Sequence, residues 1–259
     1  MNNPFTAKTA FGIVILSLLL SGFLTTSAIL YFQDNANSDI AFPISVIIGD
    51  LLLILPLLIL LRQRGDIRKI LRINPVSSTI IKATVILSLG IIILADEFDR
   101  VVALIIPPPD WMENIGQSMS GGSATTLFLL FMGAVVLAAV VEELLFRGFL
   151  QQVLEKHWKD ITKAVLVTSI FFAAIHFNPW WIIQIYLLGI FMGYLAWRSN
   201  SVFPSIIFHG MNNGLAFTFA NWNDKIPSWY TWNGHVSPLV LVGGAVLTYL
   251  GMRKLSQME

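Results

Sequence analysis

Two adjacent glutamates lie inside an apolar stretch, in the run Ala-Val-Val-Glu-Glu-Leu-Leu-Phe-Arg that covers residues 139–147. An ionisable residue in a membrane helix costs at least about 2.5–3.5 kcal/mol on insertion scales, so this pair needs a partner or a function. Glu143 and Arg147 are four residues apart with the acid on the N-terminal side, which favours an ion pair on one helix face. Glu142 points about 100° away and is predicted to be available for chemistry.

Two histidines and an asparagine are predicted to lie near the level of Glu142. His176 ends the run Phe-Ala-Ala-Ile-His, and His209 precedes Asn213 by four residues. Glu142 and His176 are each 17 residues from Lys159, in the turn predicted between their two helices. His176 is 13 residues from Lys163 and Asn213 is 13 residues from Asn200, so at about 1.5 Å per residue both lie about 20 Å from the cytoplasmic helix ends, with Glu142 at the height of His176. The polar groups of three helices are therefore predicted to meet in one layer.

This layer has the residue types for hydrolysis. Glu142 and His176 can hold and deprotonate a water molecule as a general base. His209 and Asn213 can donate hydrogen bonds to a developing oxyanion. In the alternative, Glu142, His176 and His209 bind a divalent metal such as zinc, with water in the fourth position. The sequence leaves the requirement for a cofactor open, and it contains neither His-Glu-x-x-His nor Gly-x-Ser-x-Gly.

Composition predicts the elements that position these residues. Of 259 residues, 56% are hydrophobic and 12% are charged, against about 25% charged in soluble domains. A net charge of +1 argues against a nucleic-acid partner, and the absence of cysteine excludes disulfides and thiol chemistry. We expect an all-α polytopic membrane helix bundle, in which residues 1–259 form a single domain in the lipid bilayer. The predicted spans cover about residues 11–32, 42–61, 79–95, 124 to beyond 141, 164–177, 180–197, 202–220 and 238–252.

The positions of lysine and arginine predict the orientation of these eight spans. With both termini in the cytoplasm, 14 of the 16 basic residues lie on the cytoplasmic side. The longest outer connection, residues 96–123, is expected to be a loop on the membrane surface. Asp50 lies within the second span, where a hydrogen bond between helices is the default expectation.

Three motifs in this sequence resemble those of the CPBP family, the type II CAAX prenyl endopeptidases and bacteriocin-processing relatives, also called the ABI family. The motifs are Glu142-Glu143-x-x-x-Arg147, Phe172-x-x-x-His176 and His209-x-x-x-Asn213, and the resemblance covers about residues 120–220. It implies an intramembrane endopeptidase with a cavity open to the cytoplasm. By this resemblance Glu142 and His176 activate water, and His209 and Asn213 form the oxyanion site. Glu143 and Arg147 support the first motif.

The resemblance implies a peptide or protein substrate, either prenylated or a peptide that is processed. The compact size fits a multi-pass protein of a bacterial cytoplasmic membrane. Two other hypotheses stay open from the sequence. One is a non-catalytic membrane protein that binds a peptide as an immunity protein or scaffold, and the other is a small transporter.

Overall fold

The computed structural model describes residues 5–35, 40–62, 66–110, 112, 119–176, 178–222 and 225–257. In these residues the protein is an all-α membrane helix bundle with one short β-hairpin, as the composition predicts. The helices are α1 (Ala7–Asn35), α2 (Ala41–Leu61), α3 (Ile67–Ile70), α4 (Ser78–Ile105), α5 (Ala124–Trp158), α6 (Ile161–Ala174), α7 (Ile182–Ser199), α8 (Phe203–Trp222) and α9 (Pro238–Ser256). The strands are β1 (Thr231–Trp232) and β2 (His235–Val236), which pair antiparallel.

Each of the eight predicted spans coincides with a helix, although the predicted end of the fifth at Phe177 lies outside the described residues. Six helices in the described part of the chain are long and apolar enough to cross a membrane: α1, α2, α4, α5, α7 and α9. Helix α6 is apolar but has only 14 residues. Helix α8 carries several polar side chains, His209 and Asn213 among them, which lower its hydropathy. The count of eight spans and the cytoplasmic location of both termini stay predictions.

The prediction that residues 96–123 form an outer loop was wrong at its start, because α4 continues ten residues beyond Ala95 to Ile105. Arg100 pairs with Asp96 at 3.2 Å, one helical turn away, and also donates to the carbonyl of Gly234 at 3.1 Å. Glu97 accepts from His235 Nδ1 at 2.8 Å. The charged residues that suggested a loop therefore join this end of α4 to the β-hairpin. Residues 111 and 113–118 lie outside the described residues.

A tyrosine makes a further contact between the same end of α4 and the segment before the hairpin. The Tyr230 hydroxyl donates to Asp96 Oδ2 at 2.9 Å. Burial, followed by the hydrogen bond and the charge of Asp96, raises the pKa of the Tyr230 hydroxyl above its usual range. The hydroxyl therefore remains a hydrogen-bond donor across the physiological pH range.

The chain divides into two compact units. The first comprises Met1–Pro75 and Gly121–Gly210, and the second comprises Val76–Ser120 and Met211–Glu259. In the first unit α1 packs on α2, α2 packs on α5, and α6 packs on α7. In the second unit α4 packs along α9. The single domain over residues 1–259 stays a prediction.

Helix α5 is not uniform along its length. It is π-helical over Phe131–Leu137 and Leu144–Gln151, and the α-helical segment Ala138–Glu143 between them carries both adjacent glutamates. Insertions of π-helix are rare and occur often at functional sites. Helix α5 ends at Trp158, Lys159 has a left-handed φ of 54°, and the Asp160 side chain caps α6 by accepting from the Lys163 N–H. The predicted hairpin turn at residues 158–160 is confirmed.

Candidate active site

Glu142 on α5 and His176, just after the end of α6, face each other. Glu142 Oε2 lies 4.0 Å from His176 Nε2. The Glu142 side chain is 15% exposed and that of His176 is 30% exposed. Glu142 Oε2 is itself enclosed and has no hydrogen-bond partner in the described part of the chain. The antiparallel hairpin of α5 and α6 thus brings together two residues that are 34 positions apart in the sequence.

The end of α6 fixes the ring orientation of His176. His176 Nδ1 lies 2.8 Å from the carbonyl oxygen of Phe172, four residues earlier. A carbonyl oxygen only accepts, so Nδ1 carries the hydrogen, and the neutral imidazole keeps its lone pair on Nε2. The atom that faces Glu142 is therefore an acceptor. The 4.0 Å between Glu142 Oε2 and His176 Nε2 matches the separation of two acceptors that a single water molecule would bridge with hydrogen bonds of about 2.8 Å.

Glu143 is completely buried and binds two partners. Its Oε1 accepts from Arg147 at 2.6 Å, as the spacing of four residues predicts. The same oxygen lies 3.0 Å from Nδ1 of His209 on α8, a contact that was not predicted from the sequence. Because Glu143 engages Nδ1, the Nε2 atom of His209 is the one left for chemistry. Glu143 therefore orients a second residue of the predicted site.

Arg147 also contacts residues of α7 and α6. It donates to the carbonyl of Gly189 at 3.1 Å, and its guanidinium lies 4.1 Å from the centre of the Phe172 ring. A Cβ on Gly189 would lie 3.2 Å from the Arg147 side chain, so glycine permits this close approach. The Phe172 ring also contacts the imidazoles of His176 and His209, with ring centres 5.0 and 5.7 Å away. Phe172 therefore packs against both histidines and the buried cation.

Asn213 follows His209 by one turn of α8, as the sequence predicts for residues on the same helix face. It belongs to the second compact unit, whereas Glu142, Glu143, Arg147, His176 and His209 belong to the first. Five of the six predicted site residues thus lie in the first unit, and the roles of all six stay predictions.

The alternative prediction was a metal held by Glu142, His176 and His209. Within the described residues, no three His, Asp or Glu side chains form a group that could hold a metal ion. His209 Nδ1 lies 3.0 Å from Glu143 Oε1, and the rings of His176 and His209 both pack on Phe172. A metal held by Glu142, His176 and His209 stays a prediction.

A comparison with known protein families matches the segment that contains these residues. Residues 124–215 match the family described as Type II CAAX prenyl endopeptidase Rce1-like. The Rce1-like region contains all three motifs, from Glu142 to Asn213, and confirms the resemblance predicted from them. Comparisons with curated proteins and with solved structures gave no match. The long apolar helices indicate a multi-pass membrane protein, and residues 124–215 are similar to the type II CAAX prenyl endopeptidases.

Proposed function

We propose that this protein is an intramembrane endopeptidase that hydrolyses peptide bonds by means of a water molecule activated by Glu142 and His176. The observation that carries the proposal is the 4.0 Å approach of Glu142 Oε2 to the lone-pair nitrogen of His176. Both groups accept hydrogen bonds, so a water molecule held between them directs its oxygen lone pair toward a substrate carbonyl. The Rce1-like match over the same residues supports the reaction class.

The proposed reaction begins when Glu142 takes a proton from this water as the hydroxide oxygen attacks the carbonyl carbon of the scissile peptide. His209 and Asn213 donate hydrogen bonds to the oxyanion that develops. An imidazole protonated on both nitrogens can donate from Nε2 while Nδ1 of His209 stays bonded to Glu143. When the carbon–nitrogen bond breaks, Glu142 returns its proton to the leaving amine. The proton that Glu142 takes from the water is thus the one that the leaving amine receives.

The substrates we propose are membrane-associated proteins or peptides that enter from the cytoplasmic side. The resemblance favours either a prenylated C-terminal segment or a peptide precursor. We propose the bacterial cytoplasmic membrane as the location. These choices rest on the family resemblance and on the distribution of charges along the chain.

A cleavage assay with the purified protein tests the proposal. We expect the wild type to cleave members of a peptide library that contains both prenylated and unprenylated C-terminal sequences. Glu142→Gln removes the base but keeps the shape of the side chain, and loss of general-base catalysis lowers kcat by about 100- to 10,000-fold. The unfolding temperature of this variant checks that the protein still folds, because glutamine keeps the size and shape of the glutamate side chain.

Mass spectrometry of the products locates the cleaved bond, and His176→Ala provides an independent removal of the second water ligand. Cleavage at wild-type rates by the Glu142→Gln protein would contradict the assignment. If Glu142→Gln and His176→Ala both preserved the cellular phenotype, the non-catalytic immunity or scaffold hypothesis would replace it.

A further inference from the structure

Two exposed tryptophans lie in the hairpin segment, residues 229–236, which comes just before α9. Trp229 is 67% exposed and Trp232 is 61% exposed. Large apolar surfaces that are left open on a protein often mark contacts with a membrane or with a partner. Neither tryptophan takes part in the proposed hydrolysis, so their exposure calls for a separate explanation.

Four contacts with the charged end of α4 fix the hairpin segment in place. Glu97 Oε2 accepts from the N–H of Val236 at 2.7 Å, and Glu97 Oε1 lies 2.8 Å from His235 Nδ1. Asp96 and Arg100 supply the other two contacts, one to a side chain and one to the backbone of the hairpin segment. The segment is therefore held against α4 by side chains on both of its strands and at its turn.

The register of the two strands determines which side chains of the hairpin are exposed. Thr231 pairs with Val236, and Trp232 pairs with His235, so the two pairs point to opposite faces. Val236 is 1% exposed, whereas Trp232 on the other face is 61% exposed. The exposure of Trp232 is thus built into the pairing of the strands.

The packing of α9 along α4 sets the level of the hairpin segment relative to the membrane. Gly251 of α9 lies against Leu87, where an added Cβ would come within 2.6 Å. Gly244 lies against Ile93, further along α4, so the two helices run antiparallel. Helix α9 has 19 residues and is about 28 Å long, close to the hydrocarbon thickness of about 30 Å. Its first residue, Pro238, therefore lies at one edge of the hydrocarbon, two residues after the hairpin segment.

Exposed apolar side chains also occur in the adjoining turns of α9 and α4. Leu239, in the first turn of α9, is 84% exposed. Leu104 and Ile105, beyond Arg100 in the last turn of α4, are 70% and 73% exposed. A surface that meets only water seldom carries such a set of residues. The interface of a bilayer accepts it, and tryptophan is enriched at that level.

We propose that the hairpin segment is an interfacial anchor, with Trp229 and Trp232 lying among the phospholipid headgroups at this end of α4 and α9. The apolar part of each indole faces the acyl chains, and its Nε1–H donates to a phosphate or ester oxygen of a lipid. The contacts of Glu97 and Arg100 with the segment hold both indoles at a fixed depth. This anchoring does not depend on the proposed peptide hydrolysis.

Fluorine NMR tests this placement on the whole protein, labelled with 5-fluorotryptophan, in vesicles of phosphatidylethanolamine and phosphatidylglycerol. Trp229→Phe and Trp232→Phe each remove one resonance and so assign it. If a phenylalanine variant does not fold, a nitroxide attached to Ser228→Cys identifies the two resonances by proximity. We expect a nitroxide on the lipid headgroup to broaden both resonances beyond detection, and a nitroxide at the end of an acyl chain to leave both visible.

Tyr249→Trp provides the matched control, because Tyr249 is 62% exposed on α9 and lies about 16 Å further along the helix than Pro238. The resonance of this added tryptophan should be lost with the acyl-chain nitroxide and kept with the headgroup nitroxide. Broadening of the Trp229 and Trp232 resonances only by a water-soluble gadolinium chelate would overturn the proposal, because the indoles would then face water. Protection from all three reagents would also overturn it, because a protein partner or a second copy would then cover them.

Discussion

Glu142 and Glu143 are neighbours in the sequence and have opposite environments. Glu142 is partly exposed and faces His176, whereas the Glu143 side chain is 0% exposed and binds Arg147 and His209. A buried ion pair contributes little net stability against an apolar replacement, but removing one member leaves the other charged and unpaired. Substitution of Glu143 should therefore lower the stability of the protein, whereas substitution of Glu142 should lower its activity.

We expect Glu143→Gln to destabilise the protein by about 3–5 kcal/mol, the usual cost of breaking a buried ion pair from one side. Chemical unfolding in detergent measures this loss. Lys69→Gln is the matched control, because Lys69 pairs with Asp66 at 3.9 Å and its side chain is 73% exposed. Exposed pairs contribute about 0–1 kcal/mol, so the control should unfold almost as the wild type does. Equal losses of unfolding free energy in both variants would show that the buried pair contributes no more to stability than the exposed pair.

The contacts of this site that could be predicted from the sequence are those within one helix or across one tight turn. Glu143 and Arg147 are one helical turn apart, and an α-helix brings such residues together whatever surrounds it. The approach of Glu142 to His176 follows from counting residues on either side of a tight turn. The contact between Glu143 and His209 joins residues 66 positions apart, and it depends on how α8 packs against α5. No local pattern encodes that packing.

At the level of elements, the predicted helices are found but two features of them were missed. Helix α4 continues past Ala95 because Asp96, Glu97 and Arg100 find partners one turn away and in the hairpin segment. A hydropathy pattern treats these charges as the end of a span, because it takes no account of their partners. The hydropathy pattern also does not predict the π-helical segments of α5, because these change the hydrogen-bond register of the helix and not its composition.

Helix α5 packs closely against the segment that follows α3. Gly148 lies against the backbone of Leu71, and a Cβ there would come within 2.6 Å of the Leu71 carbonyl oxygen. The next residue, Arg72, pairs with Glu155 of α5, and its carbonyl accepts from the N–H of Val202 at 3.0 Å. This segment therefore joins α5 to the start of α8, the helix that carries His209.

We expect Gly148→Ala to destabilise the protein by about 1–3 kcal/mol, because the added methyl group meets backbone that cannot rotate away. Gly22→Ala in α1 is the matched control, since nothing lies within 4 Å of a Cβ at that position. The control should gain up to about 1 kcal/mol from its higher helix propensity. Thermal unfolding of both variants in detergent measures the difference. A Gly148→Ala protein as stable as the control would contradict the close packing of α5 on Leu71.

At the scale of the whole molecule, the scarcity of charge is what makes the remaining charges informative. Only 12% of the residues are charged, and the basic ones cluster in the connections between apolar segments. Because most charged residues lie in these connections, the few within the apolar helices stand out: Asp50, Glu142, Glu143 and Arg147. Orientation matters for function, because the proposed substrates reach the site from the cytoplasm.

The absence of cysteine allows a direct test of this orientation, because any introduced cysteine is the only thiol in the chain. We expect Lys69→Cys and His157→Cys to react with a membrane-impermeant maleimide from the cytoplasmic side. Ser228→Cys, at an exposed position before the hairpin, should react only from the opposite side. Labelling of inside-out and right-side-out vesicles, followed by mass spectrometry, measures both.

Ser88→Cys is the internal control for these labelling experiments, because Ser88 is completely buried in α4 and should react only after denaturation. Five helices lie between Lys69 and Ser228 in the sequence. The side from which each position reacts shows whether these helices cross the membrane an odd or an even number of times. Lys69 is followed by α4, α5, α6, α7 and α8 before Ser228, and five crossings place these two positions on opposite sides. Reaction from the same side would mean that one of these helices does not cross, and the short α6 and the polar α8 would be the first to examine.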